Sequence, residues 1–227
     1  MDASDRPGAS PLAATSWAIL AILSYEEELS GYDIKKVTGR SIRYFYWSPS
    51  FSQIYTELKK LERLGLVTSR LDHDNTARSR RLYKITGKGL EAVRGWATGA
   101  PADPPVLKHS VLLRVAFGHL TDAARLKELL REHVAFAEKM ERDAARDAHG
   151  AEALDAWAYP RLAIRWAARY YAAERELALE MIKDLDEAEE LYLRSGGAAG
   201  FPRPGAAPWP EAADRVAVDG RDDPAPA

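Results

Sequence analysis

Hydrophobic and polar positions alternate with a helical period in the segment SPSFSQIYTELKKLERLGLV, residues 48–67. Its apolar residues recur at steps of three, four and three, which predicts a helix with one buried stripe. The stripe comprises Phe51, Ile54, Leu58 and Leu61. Hydroxyl, amide and amine side chains occupy the other face, so this helix is expected to turn a polar, cationic surface outward.

Capping signals place two further helices before this one. The apolar run 17–23 predicts a buried first helix. Ser30, followed three residues later by a carboxylate, is a capping-box signal for a second helix over about 31–39. Ser50 gives the same signal for the third helix, and Gly65 is placed to end it.

Two segments rich in strand-forming residues follow, LVTSRL and RRLYKI, separated by the polar stretch DHDNTARS. This pattern predicts a two-stranded hairpin with a basic tip. Thr86 is placed to cap a fourth helix. Three helices, a hairpin and a helix, in that order, are typical of a winged helix-turn-helix.

Beyond the hairpin, composition and periodicity predict a mainly α chain with a helical C-terminal part. The segment ATGAPADPP has the composition of a linker, and a short helix and two long ones follow, starting near Thr121 and Pro160. The expected divisions are a flexible arm (1–11), a winged helix-turn-helix (12–97), a linker (98–105), a C-terminal dimerisation and effector domain (106–194) and a disordered tail (195–227).

Charge is distributed unevenly along a chain whose formal net charge is −2. Residues 40–88 hold eleven Lys and Arg against four Asp and Glu, a local +7, whereas residues 99–194 hold fourteen against eighteen, a local −4. Such blocks indicate that the first part meets an anion. Ordinary solvated charge is the alternative interpretation.

The remaining composition argues against enzymatic chemistry. There is no cysteine, the five histidines show no paired ligand spacing, and no phosphate-binding glycine loop or nucleophile motif is found. We therefore expect no enzyme activity, no metal and no cofactor. No apolar run reaches the length of a membrane span and no secretory signal is recognised, which favours a cytoplasmic protein.

If the third helix enters a DNA groove, its outward side chains can bind phosphates or base edges. The predicted DNA-binding residues on this helix are Ser52, Gln53, Tyr55, Thr56, Lys59 and Lys60. The hairpin contributes Asn75, Arg78, Arg80 and Arg81. Tyr55 could instead pack on the second helix, and Lys60 could be solvated surface.

These segments together resemble the PadR family of bacterial transcriptional regulators. The resemblance rests on Gly31-Tyr32-x-Ile34, on SPSFSQIYTELKKLERLGLV and on Tyr83-x-Ile85-Thr86-x-x-Gly89, and it extends over roughly residues 16–97. It adds Ser50 to the DNA-binding residues. A departure from the family pattern is the acidic Asp72, His73 and Asp74 stretch, expected at the base of the hairpin and pointing away from DNA.

The resemblance implies a homodimer that binds a palindromic operator, usually as a repressor, and that in some members releases DNA on binding a small aromatic compound. A winged helix used as a protein-interaction module is the alternative function. The predicted dimer interface comprises Leu126, Leu130, His133, Met140, Leu177, Met181 and Leu185. Effector-binding candidates are Trp96, Trp157, Trp166 and Tyr170, for which a role as large core residues is the alternative.

Overall fold

The computed structural model describes residues 12–25, 28–46, 48–72, 80–101 and 104–197. The arm 1–11, most of the hairpin tip and the tail from 198 onward lie outside the described residues. No helix in the described ranges is both long and apolar enough to cross a membrane.

In the described part of the chain, α-helices and a small β-sheet make up the N-terminal segment, and the segment that follows contains helices only. The helices are α1 (Ala14–Leu23), α2 (Gly31–Thr38), α3 (Phe51–Arg63), α4 (Gly87–Gly99), α5 (Ser110–Ala116), α6 (Ala123–Gly150) and α7 (Ala158–Arg194). The strands are β1 (Leu29–Ser30), β2 (Val67–Asp72) and β3 (Arg80–Ile85). Short 3₁₀ turns occur at Ile42–Tyr44, Gly118–Leu120 and Asp155–Trp157.

The predicted caps of α2 and α3 are present. The Ser30 hydroxyl accepts from the Asp33 backbone N–H, and the Asp33 carboxylate accepts from the Ser30 backbone N–H, a reciprocal capping box. Ser50 and Gln53 form the same arrangement at the start of α3. These bonds satisfy backbone donors that have no partner inside the helix.

The apolar stripe of α3 is confirmed except at its first residue. Ile54, Leu58 and Leu61 are completely buried, in a core cluster shared with α1, α2 and α4. Phe51 remains 45% exposed, so assigning it to the buried stripe was wrong. Phe51 is the first residue of α3 and lies outside that core cluster, and its ring stacks on Tyr32 instead.

The hairpin forms as predicted, and a short strand joins it. β3 lies between β1 and β2 and is antiparallel to both, with Val67 opposite Ile85 and Asp72 opposite Arg80. Gly65 connects α3 to β2 with φ of 71°, a backbone conformation that favours glycine. The sheet thus has three strands, with the two longer ones forming the wing.

Contacts divide the chain into two units. The first consists of Met1–Leu107 and Phe136–Glu174, and it contains the winged-helix core and a second cluster around Tyr44, Ala144 and Ile164. The second consists of Lys108–Ala135 and Arg175–Ala227, with a core around Leu126, Leu130 and Leu185.

The long helices begin close to the predicted positions. Asp122 caps α6 by accepting from the Arg125 backbone N–H at 2.7 Å. Pro160 lies in the first turn of α7, where its missing N–H costs no intrahelical hydrogen bond.

Candidate nucleic-acid interface

The outward face of α3 is an exposed polar surface. Ser52, Thr56, Lys59 and Arg63 are all exposed, and they lie opposite the buried stripe. No carboxylate lies among these four side chains. A helix face of hydroxyl and cationic groups can bind phosphates and base edges.

The capping box of α3 orders the polar side chains of its first turn. The Gln53 Oε1 atom accepts from the Ser50 backbone N–H at 2.7 Å, so the Gln53 amide group is fixed at its oxygen. The Ser50 and Ser52 hydroxyl oxygens lie 2.9 Å apart. The first turn of α3 therefore presents an ordered cluster of small polar groups at the positive end of the helix dipole.

Tyr55 is both exposed and packed. It is 39% exposed, and a Cβ placed on Gly31 would lie 2.6 Å from the Tyr55 Cζ atom. The ring consequently occupies space that only glycine leaves at the start of α2. Tyr55 thus packs on the second helix, the predicted alternative to DNA contact, and still leaves part of its ring exposed.

Lys60 lies at the flank of this face. It is half-buried, with its Nζ atom 3.9 Å from Glu57, whose carboxylate also accepts from the Ser16 hydroxyl. Lys35 fixes the chain just before α3, because its ammonium donates to the Ser48 hydroxyl at 2.6 Å and to the Pro49 carbonyl at 2.8 Å. Sequence reasoning missed this anchoring role of Lys35.

Arginine side chains at the wing are held by hydrogen bonds. Arg80 donates to Asp72 at 3.0 Å, so the carboxylate at the end of β2 is paired with a cation. Arg70 forms an ion pair with Glu28 at 2.6 Å. The hydrogen bonding from Arg70 lowers the pKa of the Glu28 carboxyl.

The base of the wing is tied to the end of α3. Arg81 donates to the Ser69 hydroxyl, which in turn donates to Glu62. Glu62 therefore accepts from a serine, and this chain of hydrogen bonds joins β3 and β2 to α3. The predicted contacts Asn75 and Arg78 lie outside the described residues, as do His73 and Asp74.

The 3₁₀ turn between α2 and α3 is inserted among the long helices of the first unit. Tyr44 is only 3% exposed, and its hydroxyl donates to Asp147 at 2.5 Å. Burial, supplemented by this bond, raises the pKa of Tyr44 to about 12. Arg43 donates to the Tyr44 hydroxyl oxygen at 2.7 Å and to Asp143 at 3.4 Å. The Tyr171 hydroxyl donates to the Tyr44 backbone carbonyl.

Of the four candidate effector residues, only Trp166 and Tyr170 lie together. Trp96 stacks on Trp17 with ring centroids 5.5 Å apart, whereas Trp166, which is 57% exposed, stacks on Tyr170 at the same distance. Trp157 lies in the 3₁₀ turn before α7. Trp96 is 40% exposed, so it packs on the buried Trp17 from the surface of the first unit.

An open apolar groove of about 350 Å³ lies in the second unit. Its lining residues are Leu113, Arg114, Phe117, Leu120, Thr121, Arg125, Leu126 and Leu129. None of the four aromatic candidates belongs to this lining.

Most of the predicted dimer-interface residues already pack within one chain. Leu126, Leu130 and Leu185 are buried in the core of the second unit, with Met181 packed against it. Leu177, in contrast, is 59% exposed. Of the other two predicted residues, Met140 packs against the Tyr44 cluster of the first unit, and His133 is half-buried in the second.

Two histidines of the second unit lie together. The ring centroids of His109 and His133 are 4.6 Å apart, a proximity that their separation in sequence did not predict. His109 also caps α5, because its Nδ1 atom accepts from the Leu112 backbone N–H at 3.1 Å.

Comparison with known proteins supports the resemblance given by the motifs. Residues 19–94 match the Transcriptional regulator PadR-like family. A curated relative, the negative transcriptional regulator PadR of Bacillus subtilis (strain 168), is 30% identical over 118 residues, which are 52% of this chain and 64% of that protein. The match thus spans less than two thirds of the relative.

Solved structures share the fold. Bacillus subtilis PadR in complex with operator DNA superposes with a TM-score of 0.65 at 23% identity, covering 76% of this chain and 99% of that chain. The Vibrio cholerae virulence activator AphA gives 0.62 at 26% identity over 77% and 99%. Bacillus subtilis PadR in complex with p-coumaric acid gives 0.61 at 22% identity over 77% and 99%. The predicted winged-helix fold class is confirmed by this likeness.

Proposed function

Because residues 19–94 match the PadR-like transcriptional regulator family, we propose that this chain binds double-stranded DNA sequence-specifically and regulates transcription. The observation that carries the proposal is the division of α3 into two faces. Ile54, Leu58 and Leu61 are completely buried, while Ser52 and Lys59 are exposed on the opposite side. The fold therefore keeps the polar face available to a groove.

In this proposal α3 enters the major groove and the wing contacts the phosphate backbone. The residues assigned to DNA are Ser50, Ser52, Gln53, Tyr55, Thr56, Lys59 and Lys60 from α3 and its cap, and Asn75, Arg78, Arg80 and Arg81 from the wing. Ser50, Ser52 and Lys59 are exposed without rearrangement, whereas Arg80 must exchange or share its bond to Asp72.

We further propose a homodimer that represses transcription from a palindromic operator. The curated relative is named a negative regulator, which supports repression. Exposed leucines on the second unit, including Leu113 and Leu120, support burial of an apolar surface by another copy. A two-fold dimer would present its two α3 helices to half-sites separated by about 34 Å, one turn of DNA.

A small aromatic effector is the last part of the proposal. Support comes from the p-coumaric acid complex of Bacillus subtilis PadR and from the exposed stack of Trp166 on Tyr170. Planar aromatic ligands stack on such rings. Titration with aromatic acids should quench tryptophan emission in the parent protein, and less so in Trp166→Phe.

The deciding experiment is a fluorescence-anisotropy titration of the full chain against palindromic duplexes from upstream of its own gene, with a scrambled duplex as competitor. We expect binding that the scrambled competitor does not reverse. Weak binding that ignores sequence would refute the proposal and favour the protein-interaction alternative.

A further inference from the structure

Two solvent-exposed aromatic rings lie beside the polar face of α3. Tyr32 is 64% exposed and Phe51 is 45% exposed, and their rings stack with centroids 6.3 Å apart and planes inclined by 10°. Tyr55 follows Phe51 by one helical turn and is 39% exposed. We call these three residues the aromatic edge.

The aromatic edge is built by the first turns of two helices. Tyr32 is the second residue of α2, and Phe51 is the first residue of α3. Gly31 admits the Tyr55 ring, and stacking on Tyr32 restrains Phe51. The rings therefore lie against one another or against the helix backbone without any ligand.

Core packing does not account for these rings. The winged-helix core is filled by completely buried residues of α3, and neither Phe51 nor Tyr32 belongs to that cluster. Exposed rings leave apolar area in water, and a ligand with an apolar group would remove it. The surrounding side chains, Ser52 and the Gln53 amide, are polar.

The major groove of DNA offers one apolar group, the C5-methyl of thymine. N-terminal residues of a recognition helix are those that reach base edges. Phe51 occupies that position here, with the Ser52 hydroxyl next to it.

We propose that the aromatic edge selects thymine, with Phe51 packing on the C5-methyl group and Tyr32 supporting the Phe51 ring. This inference rests on the proposed function, since it requires α3 to lie in the major groove. It adds two specificity residues, Tyr32 and Phe51, to the polar contacts.

A methyl-deletion scan tests the proposal. The probe is a duplex enriched from random DNA by repeated selection on the full chain, and each thymine is replaced in turn by uracil, which lacks only the methyl group. For the parent protein, at least one replacement should weaken binding about fourfold, the factor expected for one methyl-sized apolar contact. In Phe51→Ala, the same replacement should have no further effect.

Two additional variants separate this role from folding. Tyr32→Ala removes the support and should reduce the methyl dependence, and Phe51→Leu retains apolar bulk should Phe51→Ala fail to fold. Tyr159→Ala is the matched control, because Tyr159 is 85% exposed on α7, and it should keep the full parent response.

Each outcome of the methyl-deletion scan either supports or overturns the inference. Specific binding without any methyl dependence would overturn the inference while leaving the proposed function intact. Methyl dependence that persists unchanged in Phe51→Ala would also overturn it. Failure to enrich any duplex would overturn the proposed function and the inference together.

Discussion

At the scale of single residues, two glycines of α4 have opposite surroundings. A Cβ on Gly89 would lie 2.1 Å from the Leu66 carbonyl oxygen, because the first turn of α4 packs directly on the chain that leaves α3. Around Gly95 nothing lies within 4 Å of a Cβ. Of these two positions, only residue 89 must be glycine, because the Leu66 backbone lies so close to it.

We expect Gly89→Ala to lower the free energy of unfolding by about 1–3 kcal/mol, since the Leu66 backbone must move. Gly95→Ala should raise it by about 0.5–1 kcal/mol, because alanine is the better helix former. Urea denaturation followed by circular dichroism measures both. Equal effects of the two substitutions would contradict this account of α4 packing.

Lys59 is the residue whose charge tests the DNA-binding face. Lys59→Ala should weaken operator binding and reduce the slope of log affinity against log salt by about one unit, because one phosphate contact is lost. Anisotropy titrations at several salt concentrations give the slope. Lys183→Ala, an exposed lysine of α7, is the control and should leave the slope unchanged.

At the scale of elements, the 3₁₀ turn Ile42–Tyr44 links α2 and α3 to the helical part of the first unit. Arg43 approaches Asp143 and Asp147, its guanidinium carbon lies 4.5 Å from the centre of the Tyr44 ring, and Tyr171 holds the backbone of the same turn. A three-residue turn thus carries a partly buried polar network.

Removing one hydroxyl should weaken this turn. Tyr44→Phe leaves the Asp147 carboxylate without its hydroxyl donor, and we expect a loss of about 1.5–3 kcal/mol, the range for hydrogen bonds to charged groups. Chemical denaturation measures the loss. Tyr159→Phe changes an 85% exposed ring and should have almost no effect, so similar losses in the two variants would contradict a special role for Tyr44.

The raised pKa of Tyr44 predicts a loss of stability in alkali. Its folded-state pKa of about 12 exceeds the ordinary value of 10.0, so neutral Tyr44 contributes stability fully below about pH 10. That contribution disappears as the pH rises toward about 12. The unfolding free energy of the parent should therefore fall more steeply across this window than that of Tyr44→Phe.

The comparison between the parent and Tyr44→Phe matters because other tyrosines also have raised pKa values. Burial also raises the pKa of Tyr83, Tyr170 and Tyr171. Their contributions are common to both proteins and cancel in the difference. Parallel pH profiles would show that Tyr44 is not responsible.

At the scale of the whole molecule, the proposed dimer requires apolar surface that one chain leaves uncovered. The second unit buries Leu126, Leu130 and Leu185 internally but leaves Leu113 62% exposed and Leu120 77% exposed. The groove of about 350 Å³ lies between such side chains. A second copy is the partner that would cover them.

Leu113→Glu should convert the proposed dimer to a monomer at micromolar concentration. Burial of an unpaired carboxylate costs several kcal/mol, which raises the dissociation constant by about a hundredfold or more. Sedimentation equilibrium measures the change, and circular dichroism verifies the fold. A variant that remains fully dimeric would place the interface elsewhere.

Local patterns were sufficient to predict most of the secondary structure. The capping boxes at Ser30 and Ser50 and the positive φ at Gly65 depend on neighbouring residues, so the sequence contained them completely. The polar face of α3 was equally predictable, because a helix with one apolar stripe must turn its remaining residues outward.

Contacts between distant residues could not be read from local periodicity. Phe51 fits the apolar spacing of α3, yet it lies in solvent, because whether a position is covered depends on how far the neighbouring helices extend. The insertion of Tyr44 beside Asp147, 103 residues away, left no periodic signal. Spacing along one element determines which residues share a face, whereas packing of separate elements determines which faces are covered and which side chains meet.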